Sequence, residues 1–155
     1  MAARAAGLAA GLRVAMVEQP WRVAGRRLAE APPRLDAAWL AVLAELGPAQ
    51  PLVLGGRSAG ARVACRTAAQ VGADAVLCLA FPLHPPGRPD RTRAPELDHV
   101  AVPLLAVQGD RDAFGVPAGA VLVAGADHGF RVRRADPDPA PRIRALVQAW
   151  LQTLT

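Results

Sequence analysis

The chain has 155 residues, 52% of them hydrophobic and 20% charged, with a formal net charge of +5. That length suits one domain with a core of ordinary size, and that balance excludes a disordered chain. All 18 basic residues are arginine, lysine, asparagine and tyrosine are absent, and Ile143 is the only isoleucine. The missing residue types are those with AT-rich codons, so the positive charge reflects coding bias rather than a face built for polyanions. The arginines are scattered and only three Trp and three Phe could stack on bases, so nucleic acid is not expected as a partner. No apolar run approaches the roughly 18 residues of a membrane span, so no membrane partner is expected either.

Residues 2–11 are alanine-rich and helical by propensity, and Gly11 ends that run. The Arg4 start faintly imitates a signal peptide, but Arg13 interrupts it, and the expected location is the cytoplasm. Residues 12–17 read as a buried strand, with 18–22 as the loop at its carboxyl end. Pro32-Pro33 marks a break, and Asp36 is placed to cap a helix over 36–46 that Gly47-Pro48 stops. A strand over 51–55 and a helix over 59–71 come next, then short apolar strands over 75–80, 102–107 and 121–123. The Pro-rich run 81–87 cannot be regular structure. Ile143, Leu146, Val147, Trp150 and Leu151 share one face of a closing helix over 140–153. Cys65 and Cys78 fall in a helix and a strand and read as small buried hydrophobes in a reducing compartment, not as a disulfide.

Strands alternating with helices predict an α/β fold with a mostly parallel sheet of about five strands, and sites in such sheets lie at the strands' carboxyl ends. Gly56-Arg57-Ser58-Ala59-Gly60 stands at one such end and fits the G-x-S-x-G nucleophile elbow, a sharp turn that lifts the serine hydroxyl clear of the sheet. Both flanking glycines are expected to be there because a Cβ would clash with strand and helix. Asp112 and His128 stand at two further strand ends, in the chain order Ser, Asp, His. In that arrangement Ser58 is a nucleophile, His128 the base that takes its proton, and Asp112 the carboxylate that fixes the imidazole. Asp110 competes with Asp112 for the acid role. Asp127 is expected to cap the turn beside His128, and His99 to be solvated. His84 is a pocket or surface residue. No His, Cys or Asp cluster has ligand spacing, so neither a metal nor a cofactor is expected.

Four blocks carry a resemblance. They are Gly55-Gly56-Arg57-Ser58-Ala59-Gly60-Ala61-Arg62-Val63-Ala64, Phe81-Pro82-Leu83-His84-Pro85-Pro86-Gly87-Arg88-Pro89, Val107-Gln108-Gly109-Asp110-Arg111-Asp112-Ala113-Phe114-Gly115 and Gly125-Ala126-Asp127-His128-Gly129-Phe130. With them the chain resembles the α/β-hydrolase superfamily in its dienelactone-hydrolase-like branch, and more narrowly a small bacterial group related to the testis-expressed and NSL-complex-subunit hydrolase-like proteins. The resemblance implies an α/β-hydrolase fold with Ser58, Asp112 and His128 as the triad, Asp112 being favoured over Asp110. It also implies the N–H of Ala59 as one oxyanion donor. For a hydrolase, the loops carrying 19–21 and 81–86, the latter with His84, are expected to line the pocket; a core aromatic is an equal reading of Trp21.

The chain departs from the family pattern near its beginning. That pattern has a further strand between the 12–17 run and the elbow strand, leading into a His-Gly-rich loop that supplies the other oxyanion donor. Losing one such donor costs roughly 10²–10³ in kcat. The expected explanation is a start placed too far downstream. Direct pairing of the two flanking strands, or a second chain in the gap, are the alternatives. The segment 112–121 is also too short for the family's helix, which leaves the position of Asp112 relative to His128 open. Two functions are compatible with these residues: a serine hydrolase of a small ester, thioester or related acyl substrate, or a non-catalytic hydrolase-like interaction module. Exposed strand edges would favour self-association.

Overall fold

The computed structural model describes residues 2–154. Four parallel strands form one sheet in the order β1 (Val53–Arg57), β2 (Ala75–Leu79), β3 (Leu104–Gly109), β4 (Val121–Val123). Spatial order equals chain order, so each connection moves one strand along the sheet. On one face lie α3 (Pro32–Leu46), α4 (Ala59–Thr67) and α5 (Ala94–Asp98); on the other lie α1 (Ala2–Ala9) and α6 (Ala140–Gln152). A four-residue helix, α2 (Pro20–Val23), stands between α1 and α3 in the chain.

Both faces of the sheet are covered, which is why the strands read as continuous apolar runs. Along β2, Val76 and Cys78 enter the core under α4, while Leu77 enters the core under α6. On α6, Ile143, Val147 and Leu151 recur every four residues and are all buried against Leu77, Val107 and Val123. Each such side chain stabilises by about 1.5–3 kcal/mol. Cys65 of α4 and Cys78 of β2 are free, buried, and 3.3 Å apart at sulfur. Hydrogen bonding between them, and then burial, pushes the Cys78 thiol up, so it stays protonated.

Several expected boundaries shift. The α3 helix begins at Pro32, because proline at the first helical positions gives up only an N–H that would lack a partner anyway. Asp36 therefore lies inside the helix rather than at its cap. It accepts two hydrogen bonds from Arg66 of α4, at 2.6 and 2.8 Å, and Arg66 also pairs with Glu96 of α5. Burial disfavours the Arg66 charge, but Asp36 and Glu96 outweigh it and hold the guanidinium above its ordinary range. The α4 helix ends at Thr67, and residues 68–72 turn without continuing it. The expected loop over 18–22 includes α2, and α5 was not expected at all.

The largest difference is at residues 12–17. They join no strand, so the sheet has four strands rather than about five. A strand exists only through a hydrogen-bonded neighbour, and among the described residues none lies beside this run. Between it and β1 opens a cleft of about 1250 Å³, lined by Leu12, Val14 and Val17 on one side and by Val53, Leu54 and Gly55 on the other. The two runs therefore do not pair directly. Leu52 accepts from the N–H of Asp74, and Ser58 donates to Leu79, so the even-numbered residues of this stretch face β2. Alternation turns the backbone groups of Val53, Gly55 and Arg57 toward the cleft.

Candidate active site

The site is assembled at the carboxyl ends of β1, β3 and β4. Ser58 comes directly after β1, with φ 54° and ψ −116°, a conformation that side chains rarely adopt. Two contacts hold it there. The Ser58 N–H still bonds the Leu79 carbonyl of β2 (3.0 Å), and its carbonyl already accepts from Arg62 N–H in the first turn of α4 (3.3 Å). The chain must reverse within one residue, which brings strand and helix into backbone contact. A Cβ on Gly56 would lie 2.1 Å from the Gly60 carbonyl carbon and 2.5 Å from Ala61 N, so only glycine fits. A Cβ on Gly60 would meet nothing within 4 Å. The expectation that both motif glycines avoid a clash is thus corrected for Gly60: the helix backbone is approached there, and its own Cβ direction is open. Ala59 opens α4, and its N–H has no intrahelical acceptor.

Asp112 sits in the turn after β3. Its neighbours anchor that turn to the β4 end: Asp110 N–H donates to Val123 O (3.2 Å) and Arg111 N–H to Ala126 O (3.0 Å). Gly109 allows this approach, since a Cβ there would stand 2.3 Å from Ala126 O. The shortness of the 112–121 segment therefore does not displace the acid, because β3 and the Ala126 carbonyl set its position. His128 lies in the loop after β4. Asp127 Oδ1 accepts from the N–H groups of Gly129 (2.7 Å) and Arg131 (2.9 Å), so Asp127 does cap that turn. These backbone bonds, led by the one from Arg131, hold its carboxyl below the ordinary carboxylate range.

The three candidate side chains meet. Ser58 Oγ is 2.9 Å from His128 Nε2, and His128 Nδ1 is 2.8 Å from Asp112 Oδ2. A carboxylate only accepts, so Nδ1 carries the proton and Nε2 is left to accept from the serine hydroxyl. The Asp112 side chain is 0% exposed and that of His128 23%, so the carboxylate is shielded while the imidazole reaches solvent. Asp110 lies outside this relay and is exposed.

Sequence reasoning missed three residues around this relay. Phe114 packs edge-on against the His128 ring at 4.5 Å between centroids, and Arg57 donates to the His128 carbonyl (3.2 Å). The buried Gln108 donates to Asp112 Oδ2 (2.7 Å). Its signal was a polar residue inside the apolar run of β3. His84 is bonded to the segment behind the acid rather than to the three side chains: its N–H donates to Phe114 O (2.8 Å), its Nδ1 donates to Arg91 O (2.7 Å) and its ring abuts Gly115. Trp21 lies in α2 under the Arg22 guanidinium, 5.0 Å from the ring centroid, and is absent from the cleft lining. His99 is exposed and bonds the Pro95 carbonyl through Nδ1. Among the described residues, no group of three or more His, Cys, Asp and Glu side chains is placed to hold a metal ion, and no helix is long and apolar enough to cross a membrane.

The profile of the alpha/beta hydrolase domain matches residues 9–152. The chain belongs to the alpha/beta hydrolase domain family. Among solved structures it is similar to a proposed hydrolase of the alpha/beta superfamily from Xanthomonas campestris pv. campestris, at 19% identity and a TM-score of 0.67, covering 99% of this chain and 88% of that one. It is also similar to an alpha-beta serine hydrolase homologue from Coxiella burnetii, at 18% identity and a TM-score of 0.51, covering 84% of this chain and 63% of that one. These two likenesses concern the fold. No curated protein matches the chain.

Proposed function

We propose that this α/β-hydrolase domain is a serine hydrolase of a small ester, thioester or related acyl substrate. The observation that carries the reading is the continuous relay from Ser58 Oγ through His128 to the shielded Asp112, with contacts of 2.9 and 2.8 Å. Ser58 attacks the acyl carbon as its proton passes to His128 Nε2, and the leaving group departs with that proton. Water then cleaves the acyl-enzyme with His128 again as base. Asp112 keeps the imidazole in the required tautomer and stabilises the imidazolium. The N–H of Ala59 is the first donor to the developing oxyanion, and Trp21 of α2 and His84 of the 81–87 loop belong to the segments that shape the substrate's surroundings. Within the family, the four sequence blocks support assignment to the dienelactone-hydrolase-like branch. The two unpaired buried thiols suit the cytoplasm.

Labelling with a fluorophosphonate probe tests the reading: the wild type reacts and Ser58→Ala does not. Equal labelling of both, or none of the wild type, refutes it. One observation favours a second reading, a non-catalytic interaction module: the edge of β1 beside the elbow faces an open cleft instead of another strand. That reading expects no labelling and a partner complex that survives His128→Ala.

A further inference from the structure

Gln108, the residue before the last of β3, is fully buried at 0% exposure in a strand otherwise built of apolar residues and glycine. Its Nε2 lies 2.7 Å from Asp112 Oδ2, 3.0 Å from Phe81 O and 3.0 Å from Gly115 O. Its Oε1 is buried with no partner. The amide can face only one way. Turned over, it would set an oxygen against a carboxylate oxygen and two carbonyl oxygens, none of which can donate. An orphaned buried oxygen is destabilising, so the fold accepts a cost at Oε1 in order to present an NH₂ to Asp112.

The Asp112 carboxylate is consequently held at both oxygens. Oδ1 accepts from the Phe114 N–H (2.8 Å), and Oδ2 accepts from Gln108 as well as from His128. With only the histidine bond, the carboxyl plane could rotate and offer His128 either oxygen. The Gln108 and Phe114 donors remove that freedom. The same NH₂ group also reaches the loops after β2 and β3 through Phe81 and Gly115.

We propose that Gln108 is a positioning residue of the triad: its amide fixes Asp112 so that Oδ2 holds the His128 Nδ1–H, and thereby keeps Nε2 free to accept from Ser58. This rests on the hydrolase reading. The tests are the low-field NMR resonance of the His128 Nδ1–H, with the ring's ¹⁵N tautomer pattern, and the rate of fluorophosphonate labelling. Gln108→Met keeps length and loses the donor. It is expected to abolish the low-field resonance, mix the tautomers and slow labelling by about tenfold or more, the scale of one hydrogen bond to a charged group. Gln108→Asn keeps the amide but withdraws it by about one carbon–carbon bond, ~1.5 Å, and is expected to do the same in a less disturbed core. Val147→Ala, a core truncation in α6 remote from the relay, is expected to lower stability while keeping resonance and labelling. The proposal is overturned if both Gln108 variants retain both signals, if Val147→Ala loses them equally, or if both Gln108 variants merely unfold. Absence of labelling in the wild type would instead refute the hydrolase reading, and the resonance would still decide what Gln108 does to the His–Asp pair.

Discussion

The two glycines of the elbow motif are predicted to be unequal, and substituting each by alanine measures the difference. At Gly56 the added Cβ would lie 2.1, 2.3 and 2.5 Å from the Gly60 carbonyl carbon, the Gly60 oxygen and Ala61 N. All three are backbone atoms at the start of α4, so no side chain can swing aside. Relief requires moving β1 and α4 apart by about 1 Å, and overpacking of this kind costs about 1–3 kcal/mol, here at the upper end. At Gly60 the Cβ meets nothing within 4 Å, and the position is helical. Alanine there gains up to about 1 kcal/mol of helix propensity. The two variants should therefore differ by roughly 3–4 kcal/mol, or about 6–16 °C in Tm for a domain of this size. Thermal and urea unfolding of both, with fluorophosphonate labelling alongside, checks this. Gly60→Ala should label like the wild type, because its Cβ meets nothing and leaves Ser58 and the Ala59 N–H in place. A Gly56→Ala protein as stable as the wild type, or a Gly60→Ala protein as damaged as Gly56→Ala, would refute the account of how strand and helix meet.

Four further outcomes are expected. Ser58→Gly should abolish labelling yet raise stability by about 1 kcal/mol, since it relieves a backbone conformation that costs ~1–3 kcal/mol and loses part of that gain to chain entropy; a destabilised variant in calorimetry would count against strain at the elbow. Asp112→Asn should slow labelling by roughly 10⁴, the scale of losing a triad carboxylate, whereas Asp110→Asn should leave it unchanged, and the reverse pattern would reassign the acid. Asp127 is held below its ordinary pKa, so its contribution to the His128 turn is present above about pH 4 and is lost as pH falls through the lowered value. Amide exchange at Gly129 and Arg131 should accelerate in acid in the wild type and be fast at all pH values in Asp127→Ala. The open edge of β1 should make the chain self-associate with concentration, which light scattering over a dilution series would reveal; a strict monomer at high concentration would show that the cleft protects the edge.

The fold was legible wherever hydrophobic periodicity matched a buried element. The runs at 75–80 and 121–123, and the four-residue spacing of Ile143, Val147 and Leu151, all became what they looked like. The run at 12–17 did not, because a sequence shows a strand's own preference but not whether a neighbour exists to bond it. Asp36 misled for a similar reason: as a residue it suits a cap, yet the prolines before it started the helix, and Arg66 from another element claimed its carboxylate. At the site, chain order pointed to Ser58, Asp112 and His128, because each stands at a strand end. Arg57 and Phe114 stayed hidden because their roles depend on contacts 71 and 14 residues away that no local pattern encodes, whereas Gln108 stood out as a polar residue in an apolar strand without showing what it bonds.

The relay between residues 70 apart in sequence is held chiefly by backbone approach. Gly56 lets β1 close on α4 and sets where Ser58 emerges; Gly109 lets the acid turn close on Ala126 and sets the distance from Asp112 to the His128 loop. Neither glycine touches a reacting group. Each acts by the absence of a Cβ, so each fixes a distance between two elements that side-chain packing alone would leave adjustable. Two of the three ends of the relay are thus tied to the sheet by main chain, and the third, His128, is tied by Asp127 beneath it and Arg57 beside it. That division explains why the relay closes although the neighbouring position in the sheet is an open cleft. The backbone bonds that place Ser58 and Asp112 run from β1 to β2 and from the turn after β3 to the end of β4. Arg57 and Gly129 reach the cleft beside His128, yet the Ser58–His128 and His128–Asp112 contacts still close at 2.9 and 2.8 Å, so what the gap leaves incomplete is the edge of β1, not the geometry of the three side chains.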